Sequence, residues 1–199
     1  RATGHTPSLI IAGKNTADRK KNVLPPPEKL WGKNHAVPTL QPDTIDSAFI
    51  SKLASVPHDI FVVASYGKIL PQELLVIPKH GTLNVHPSLL PRLRGASPVR
   101  TAILTNERET GVTIMSMDEK MDHGPIVAQK KVTLSQSEWP PHARTLENLL
   151  AREGGALLAN IIDEWVRGDI EAHPQNHDIA TYCEKIKKED GILSLSGNP

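Results

Sequence analysis

A chain of 199 residues is the size of one domain with at most a short appendage. Its 38% hydrophobic and 23% charged residues exclude a collagenous or wholly disordered chain, and no run approaches the ~20 consecutive apolar residues of a membrane helix. A formal net charge of +1 and an aromatic fraction of 4% exclude a uniformly basic surface and a broad base-stacking platform, so nucleic-acid contact would need a local patch.

In chain order, Ser8 to Ala12 is a short apolar, β-branched run of the kind found in buried strands. Gly13 to Lys33 reads as irregular, because Pro25 to Pro27 exclude a regular element through its middle. Thr44 to Val56 carries Ile45, Phe49, Ile50 and Leu53 at helical spacing, and Asp59 to Ala64 is a second strand, which makes a βαβ pattern and implies a parallel sheet covered by helices. Thr82 to His86 is a third strand and Pro98 to Leu104 a helix opened by proline. Gly111 to Met117 and Ile126 to Leu134 form a later pair of strands. From about Thr145 to Val166 a long amphipathic helix is expected, its apolar face set by Leu146, Leu149, Leu150, Leu157, Leu158, Ile161, Ile162 and Trp165. After Gly168 the pattern turns polar, with Ala180 to Lys188 a short helix. The expected fold is α/β, Rossmann-like, a mostly parallel sheet with helices on both faces. The expected division is one folded domain over 1–168 and a linker over 169–199.

Chemistry concentrates in Asn84-Val85-His86-Pro87-Ser88-Leu89-Leu90-Pro91-Arg92-Leu93-Arg94-Gly95-Ala96-Ser97-Pro98. Strand residues two apart share a face, so Asn84 and His86 project together at the carboxyl end of their strand, where open α/β sheets bind ligands. An asparagine amide donates to a developing oxyanion without changing charge, and histidine gives or takes a proton near neutrality. A third candidate lies in the acidic turn Met117-Asp118-Glu119-Lys120-Met121-Asp122-His123-Gly124-Pro125, where a carboxylate could orient His86 or accept a proton. Taken singly, a strand histidine and an acidic turn are more often structural and solvated, respectively. His86, Asp122 and His123 lack the spacing of a metal-ligand set, and no metal is expected. The single cysteine, Cys183, cannot form an internal disulfide and suits a reducing compartment.

Taken together, the segment from Asn84 to Val99 and the later Asp122-His123-Gly124 resemble the formyltransferase family that uses 10-formyltetrahydrofolate. The form Pro91-Arg92-Leu93-Arg94-Gly95-Ala96-Ser97-Pro98 is closer to the methionyl-tRNA members than to those acting on glycinamide ribonucleotide. Ser65-Tyr66-Gly67-Lys68-Ile69-Leu70-Pro71 is similar to another family segment, and Ala180-Thr181-Tyr182 through Lys187-Lys188-Glu189-Asp190 is similar to the linker of the methionyl-tRNA subgroup. The likeness runs from about residue 8 to 195.

The resemblance implies formyl transfer from 10-formyltetrahydrofolate to the amino group of methionine on initiator tRNA, with Asn84, His86 and Asp122 as a catalytic triad. It implies donor contacts at Tyr66, Gly67, Ile69, Leu70, Ser88, Leu89, Pro91, Met117, Asp118 and Met121, with the loops Tyr66 to Leu70 and Met117 to Asp122 walling the pterin. Lys14 to Lys33 holds six basic and two acidic side chains, a local +4, and by the resemblance Lys14, Arg19, Lys20 and Lys21 contact tRNA. The Gly-Arg-Gly-like centre of the family loop is replaced by Asp18-Arg19-Lys20-Lys21, so its contacts do not carry over one by one. A monomer, without membrane contact, in the cytoplasm or an organellar matrix, is the expected setting. Family members carry a strand and helix before Pro7 and a β-barrel beyond the linker, so the chain is expected to start inside a longer protein. The alternatives are a formyltransferase for a nucleotide-linked amino sugar, and a truncated domain that binds folate or tRNA without turnover.

Overall fold

The computed structural model describes residues 4–17 and 22–191. The first strand, β1 (Ile10–Ile11), is followed by β2 (Thr16–Ala17) and β3 (Val23–Leu24), which pair as an antiparallel stem. Then come α1 (Pro27–Asn34), β4 (Thr39–Leu40), which pairs parallel with β1, and α2 (Ser47–Ala54). The segment expected to be irregular therefore contains a hairpin stem and a helix. The prolines permit this because Pro26 is the extended N-cap of α1 and Pro27 opens its first turn, where a missing N–H breaks no bond and φ is already helical. Helix α2 starts where the Asp46 carboxylate accepts from Phe49 N at 2.9 Å.

The site-bearing sheet follows: β5 (Phe61–Ala64), α3 (Gln72–Leu75), β6 (Thr82–His86), β7 (Arg94–Gly95), α4 (Pro98–Leu104), β8 (Thr110–Ser116) and β9 (Ile126–Val132). Its strand order is β5-β6-β8-β9. The β5–β6 pairing is parallel, as the βαβ pattern implies, whereas β6–β8 and β8–β9 are antiparallel. The nine residues between Ser116 and Ile126 suffice to join β8 to β9 in antiparallel fashion, while a parallel return would need a crossover of a dozen or more.

Helices cover both faces of β6. Leu83 lies in one cluster with Ile114 and Val127, against Leu157, Leu158, Ile161 and Trp165 of α5 (Ala143–Arg167), and the second residue after it, Val85, packs there too. On the opposite face the Thr82 hydroxyl donates to Leu75 O of α3 at 2.8 Å. There Leu53, Leu74 and Leu75 form a second cluster with Phe49, Ile50, Phe61, Leu70 and Met117. Burying each such side chain contributes about 1.5–3 kcal/mol, which fixes the strand's facing. Asn84 and His86, in step with Thr82, are thereby directed away from α5.

Beyond Gly168 the chain runs back over the domain. His173 and Ile126 exchange backbone hydrogen bonds at 2.8 Å in both directions. The short helix expected over Ala180 to Lys188 is instead β10 (Tyr182–Cys183), parallel to β7, with a single 3₁₀ turn over Lys188–Gly191. Arg94 N donates to Thr181 O at 2.9 Å, and Thr181 and Tyr182 are residue types favoured in strands, so pairing with β7 holds the segment extended.

Candidate active site

Three backbone strains gather around the carboxyl end of β6. Among the described residues five non-glycine positions have positive φ, and three of them are Ser65 just after β5, Leu93 just before β7, and Asp122 in the β8–β9 turn. Each costs of order 1–3 kcal/mol and persists only where its surroundings hold it.

Those surroundings are polar. The amide of Asn84 donates from Nδ2 to Asp122 Oδ1 at 3.4 Å, and His86 Nδ1 lies 3.6 Å from the same oxygen. The other oxygen, Oδ2, accepts from Gly95 N at 2.7 Å. His86 Nε2 faces Leu93 O at 3.0 Å, so both ring nitrogens look at acceptors, and the ring donates to both only when it carries both protons. The His86 and Asp122 side chains are 5% and 12% exposed. The Asn84 amide and, when doubly protonated, the His86 ring thus point at one carboxylate oxygen, at 3.4 and 3.6 Å, in a largely desolvated place. An oxyanion formed beside Asn84 Nδ2 and a doubly protonated His86 would meet both as donors in a weakly screened setting, the arrangement that stabilises developing negative charge.

The three residues expected to form a triad are therefore brought together. Gly95 is the partner that residue chemistry did not reveal, because only its backbone acts. Its φ is +114°, and a Cβ there would lie 2.2 Å from Cys183 O. Gly124 has a similar reason, since a Cβ would lie 1.9 Å from Ser116 O where the acidic turn folds against β8. The Arg94-Gly95 string was the available signal.

The expected donor contacts divide. Leu70 and Met117 pack on the same Leu53, Leu74 and Leu75 cluster, which makes neighbours of the loop after β5 and the turn after β8. On these two segments Ile69 is 85% and Met121 60% exposed, while Gly67 is open. The Tyr66 hydroxyl is buried with no hydrogen-bond partner among the described residues, and burial raises its pKa above the ordinary phenol value. Asp118 holds its own turn, accepting from Lys120 N at 3.0 Å and meeting His123 Nδ1 at 2.7 Å. Ser88, Leu89 and Pro91 are engaged elsewhere: Ser88 Oγ donates to Arg92 O at 2.6 Å, Pro91 O accepts from Thr181 N, and Ser88 and Leu89 line a small cavity with Glu107 and Glu109. Lys14 forms an exposed ion pair with Asp43 at 2.8 Å, which lowers the Asp43 pKa. Arg19, Lys20 and Lys21 lie outside the described residues. Among the described residues no group of three His, Cys, Asp or Glu side chains could hold a metal ion, and no helix is long and apolar enough to cross a membrane.

Comparison with known proteins follows the same lines. The model of the formyl transferase family matches residues 8–162. The methionyl-tRNA formyltransferase of Chloroflexus aggregans is 44% identical over 196 residues, covering 96% of this chain and 62% of that protein. That of Halalkalibacterium halodurans is 40% identical, covering 94% of this chain and 58% of the relative. The chain thus spans about three fifths of the length of the curated relatives it matches. Among solved structures, the formyltransferase PseJ from Anoxybacillus kamchatkensis, in complex with UDP-4,6-dideoxy-4-formamido-L-AltNAc and tetrahydrofolate, superposes with TM-score 0.62 at 23% identity, over 88% of this chain and 85% of that one. This likeness concerns the fold.

Proposed function

The chain belongs to the formyl transferase family, and from that premise we propose that it transfers the formyl group of 10-formyltetrahydrofolate to the amino group of methionine on initiator tRNA. The observation that carries the chemistry is the convergence of Asn84 Nδ2 and His86 Nδ1 on the Asp122 carboxylate at the end of β6. The tRNA acceptor is supported by the relatives at 40–44% identity, which are named for it.

The donor fits the residues present. Ile69 and Met121 offer exposed apolar surface on adjoining segments, and the unpartnered Tyr66 hydroxyl can meet one polar group of a heteroaromatic edge. Tyr66, Gly67, Ile69, Leu70, Met117 and Met121 would hold it; Ser88, Leu89, Pro91 and Asp118 would act by shaping the loops around it. When bound, it supplies a formyl carbon whose attack by an amine places negative charge on the carbonyl oxygen.

Asn84 and His86 would receive that charge as hydrogen-bond donors. Asp122 would keep His86 aligned and accept the amine proton, directly or through water, and His86 would return a proton to the leaving nitrogen. Lys14, Arg19, Lys20 and Lys21 would meet tRNA phosphates; Lys14 pairs with Asp43, whose carbonyl accepts from Lys68 of the loop after β5. The single free thiol suits the cytoplasm or an organellar matrix, and a monomer is the state we expect, which sedimentation would verify.

The test is formylation by the purified chain with charged initiator tRNA and, separately, with a nucleotide-linked amino sugar. Preference for the tRNA, with KM raised and its salt dependence flattened when Arg19, Lys20 and Lys21 are neutralised together, supports the reading. Efficient formylation of the sugar with none of the tRNA would replace it.

A further inference from the structure

We infer that Gln175, oriented by the buried Arg94, is a positioning residue for Asp122, so that the stretch after Gly168 completes the active site. The inference rests on the formyl-transfer reading, and both residues of the clamp lie outside the triad. Gln175 also lies beyond the residues matched by the family model.

Asp122 has φ +50°, a left-handed conformation that costs less for Asp than for most residues but is still uncommon, so contacts from outside the turn add to its hold. Gln175 does so with one amide group. Its Nε2 donates to Asp122 O at 3.0 Å and to Gly124 O at 2.7 Å, tying two carbonyls of the same turn together. Its Oε1 accepts from Arg94 Nε at 3.1 Å and Nη2 at 2.6 Å. A flipped amide would turn its own N–H groups onto a guanidinium, so the cation fixes which end of Gln175 faces the turn.

Arg94 is an unusual choice for a merely structural position. It is 1% exposed and makes no ion pair with a carboxylate among the described residues. Its other partners are Tyr182 Oη at 3.2 Å and His177 Nδ1 at 2.9 Å. To accept from Arg94, His177 must keep Nδ1 unprotonated, and its pKa is lowered by partial desolvation first and then by the neighbouring His123 and Arg94. A buried cation served by neutral groups is costly unless every donor is used. The side chain of Arg94 holds the Asp122 backbone through Gln175, and the next residue, Gly95, holds the Asp122 carboxylate through its amide. Backbone and carboxylate of one strained residue are thus fixed from the same two-residue strand.

Two substitutions separate positioning from folding. Gln175→Glu keeps an acceptor for Arg94 and gives it a countercharge, but sets a carboxylate oxygen, which cannot donate, against the carbonyls of Asp122 and Gly124. Gln175→Leu removes both functions. For the whole chain with charged tRNA, both variants should lower kcat at least about tenfold while KM for 10-formyltetrahydrofolate stays within about twofold. Gln175→Glu should melt within about 3 °C of the parent. Exchange of the Gly95 amide proton with solvent, followed by NMR, should accelerate at least about tenfold in both. Parental kcat with an unchanged Gly95 amide in Gln175→Glu would overturn the inference. So would a loss confined to Gln175→Leu that follows its melting temperature. If the parent chain formylates nothing, the functional reading fails, and the Gly95 amide still decides the clamp.

Discussion

Gly95→Ala concentrates several consequences of this architecture in one methyl group. The backbone there has φ +114°, outside the region open to alanine, at a cost of about 1–2 kcal/mol. The new Cβ would lie 2.2 Å from Cys183 O, where contact needs about 3.5 Å, so β10 must withdraw by about 1 Å. Withdrawal stretches Arg94 N to Thr181 O, now 2.9 Å, and Ala96 N to Cys183 O, now 3.2 Å, each worth about 0.5–1.5 kcal/mol. The loss should be about 2–5 kcal/mol in urea unfolding, or roughly 10 °C in thermal midpoint. Because the Gly95 amide also serves Asp122 Oδ2, the folded variant should turn over about 10- to 100-fold more slowly, the worth of a hydrogen bond to a charged group. Gly13→Ala, with open space around its Cβ, should stay within about 0.5 kcal/mol of the parent. A Gly95→Ala protein with parental melting and parental turnover would refute the close approach of β7 and β10 and the role of this amide together.

The neighbours Gly154 and Gly155 in α5 should respond with opposite signs. Gly155→Ala meets open space and should stabilise by about 0.5–1 kcal/mol through helix propensity, whereas Gly154→Ala drives its Cβ to 2.6 Å from Val85 Cγ1, a stiff β-branched contact, and should destabilise by about 1–3 kcal/mol; equal shifts in urea midpoints would place α5 wrongly on β6. Ile69→Asp, at a position 85% exposed, should leave folding intact yet weaken donor binding by burying a charge beside the ring, as read by fluorescence titration. Unaltered affinity would move the donor pocket away from the loop after β5.

What the sequence revealed depended on whether a residue acts through its pattern or through its position in space. The strand over Thr82–His86 and the helix over Pro98–Leu104 were legible to the residue, because alternation and a helix-opening proline are local signals. So was the facing of Asn84 and His86, which follows from a period of two. The hairpin stem at Thr16–Ala17 and Val23–Leu24 was hidden because each strand has two residues, too few for any periodicity. Strand β10 was missed for a different reason: it has two residues, and its partner is Arg94–Gly95, nearly ninety residues earlier. Gln175 sits in a polar stretch with no pattern at all, and only its contacts with Asp122 and Arg94 single it out. Ser88 illustrates the converse, a residue in the densest motif whose hydroxyl is occupied by Arg92 O in its own turn.

The most direct test of the proposed chemistry is the single-turnover rate of formyl transfer to methionyl-tRNA by Asp122→Asn, measured beside its equilibrium affinity for the folate donor. Asparagine tolerates the φ of +50° at this position, so the backbone of the turn is kept while the charge is removed and one of the two accepting oxygens becomes an NH2 that cannot accept from Asn84 or Gly95. The geometry around Asp122 Oδ1 predicts a rate lower by about 100-fold or more with donor affinity within about twofold, because the carboxylate acts on charge that exists only as the reaction proceeds. A parental rate, or a rate and an affinity that fall together, would contradict it.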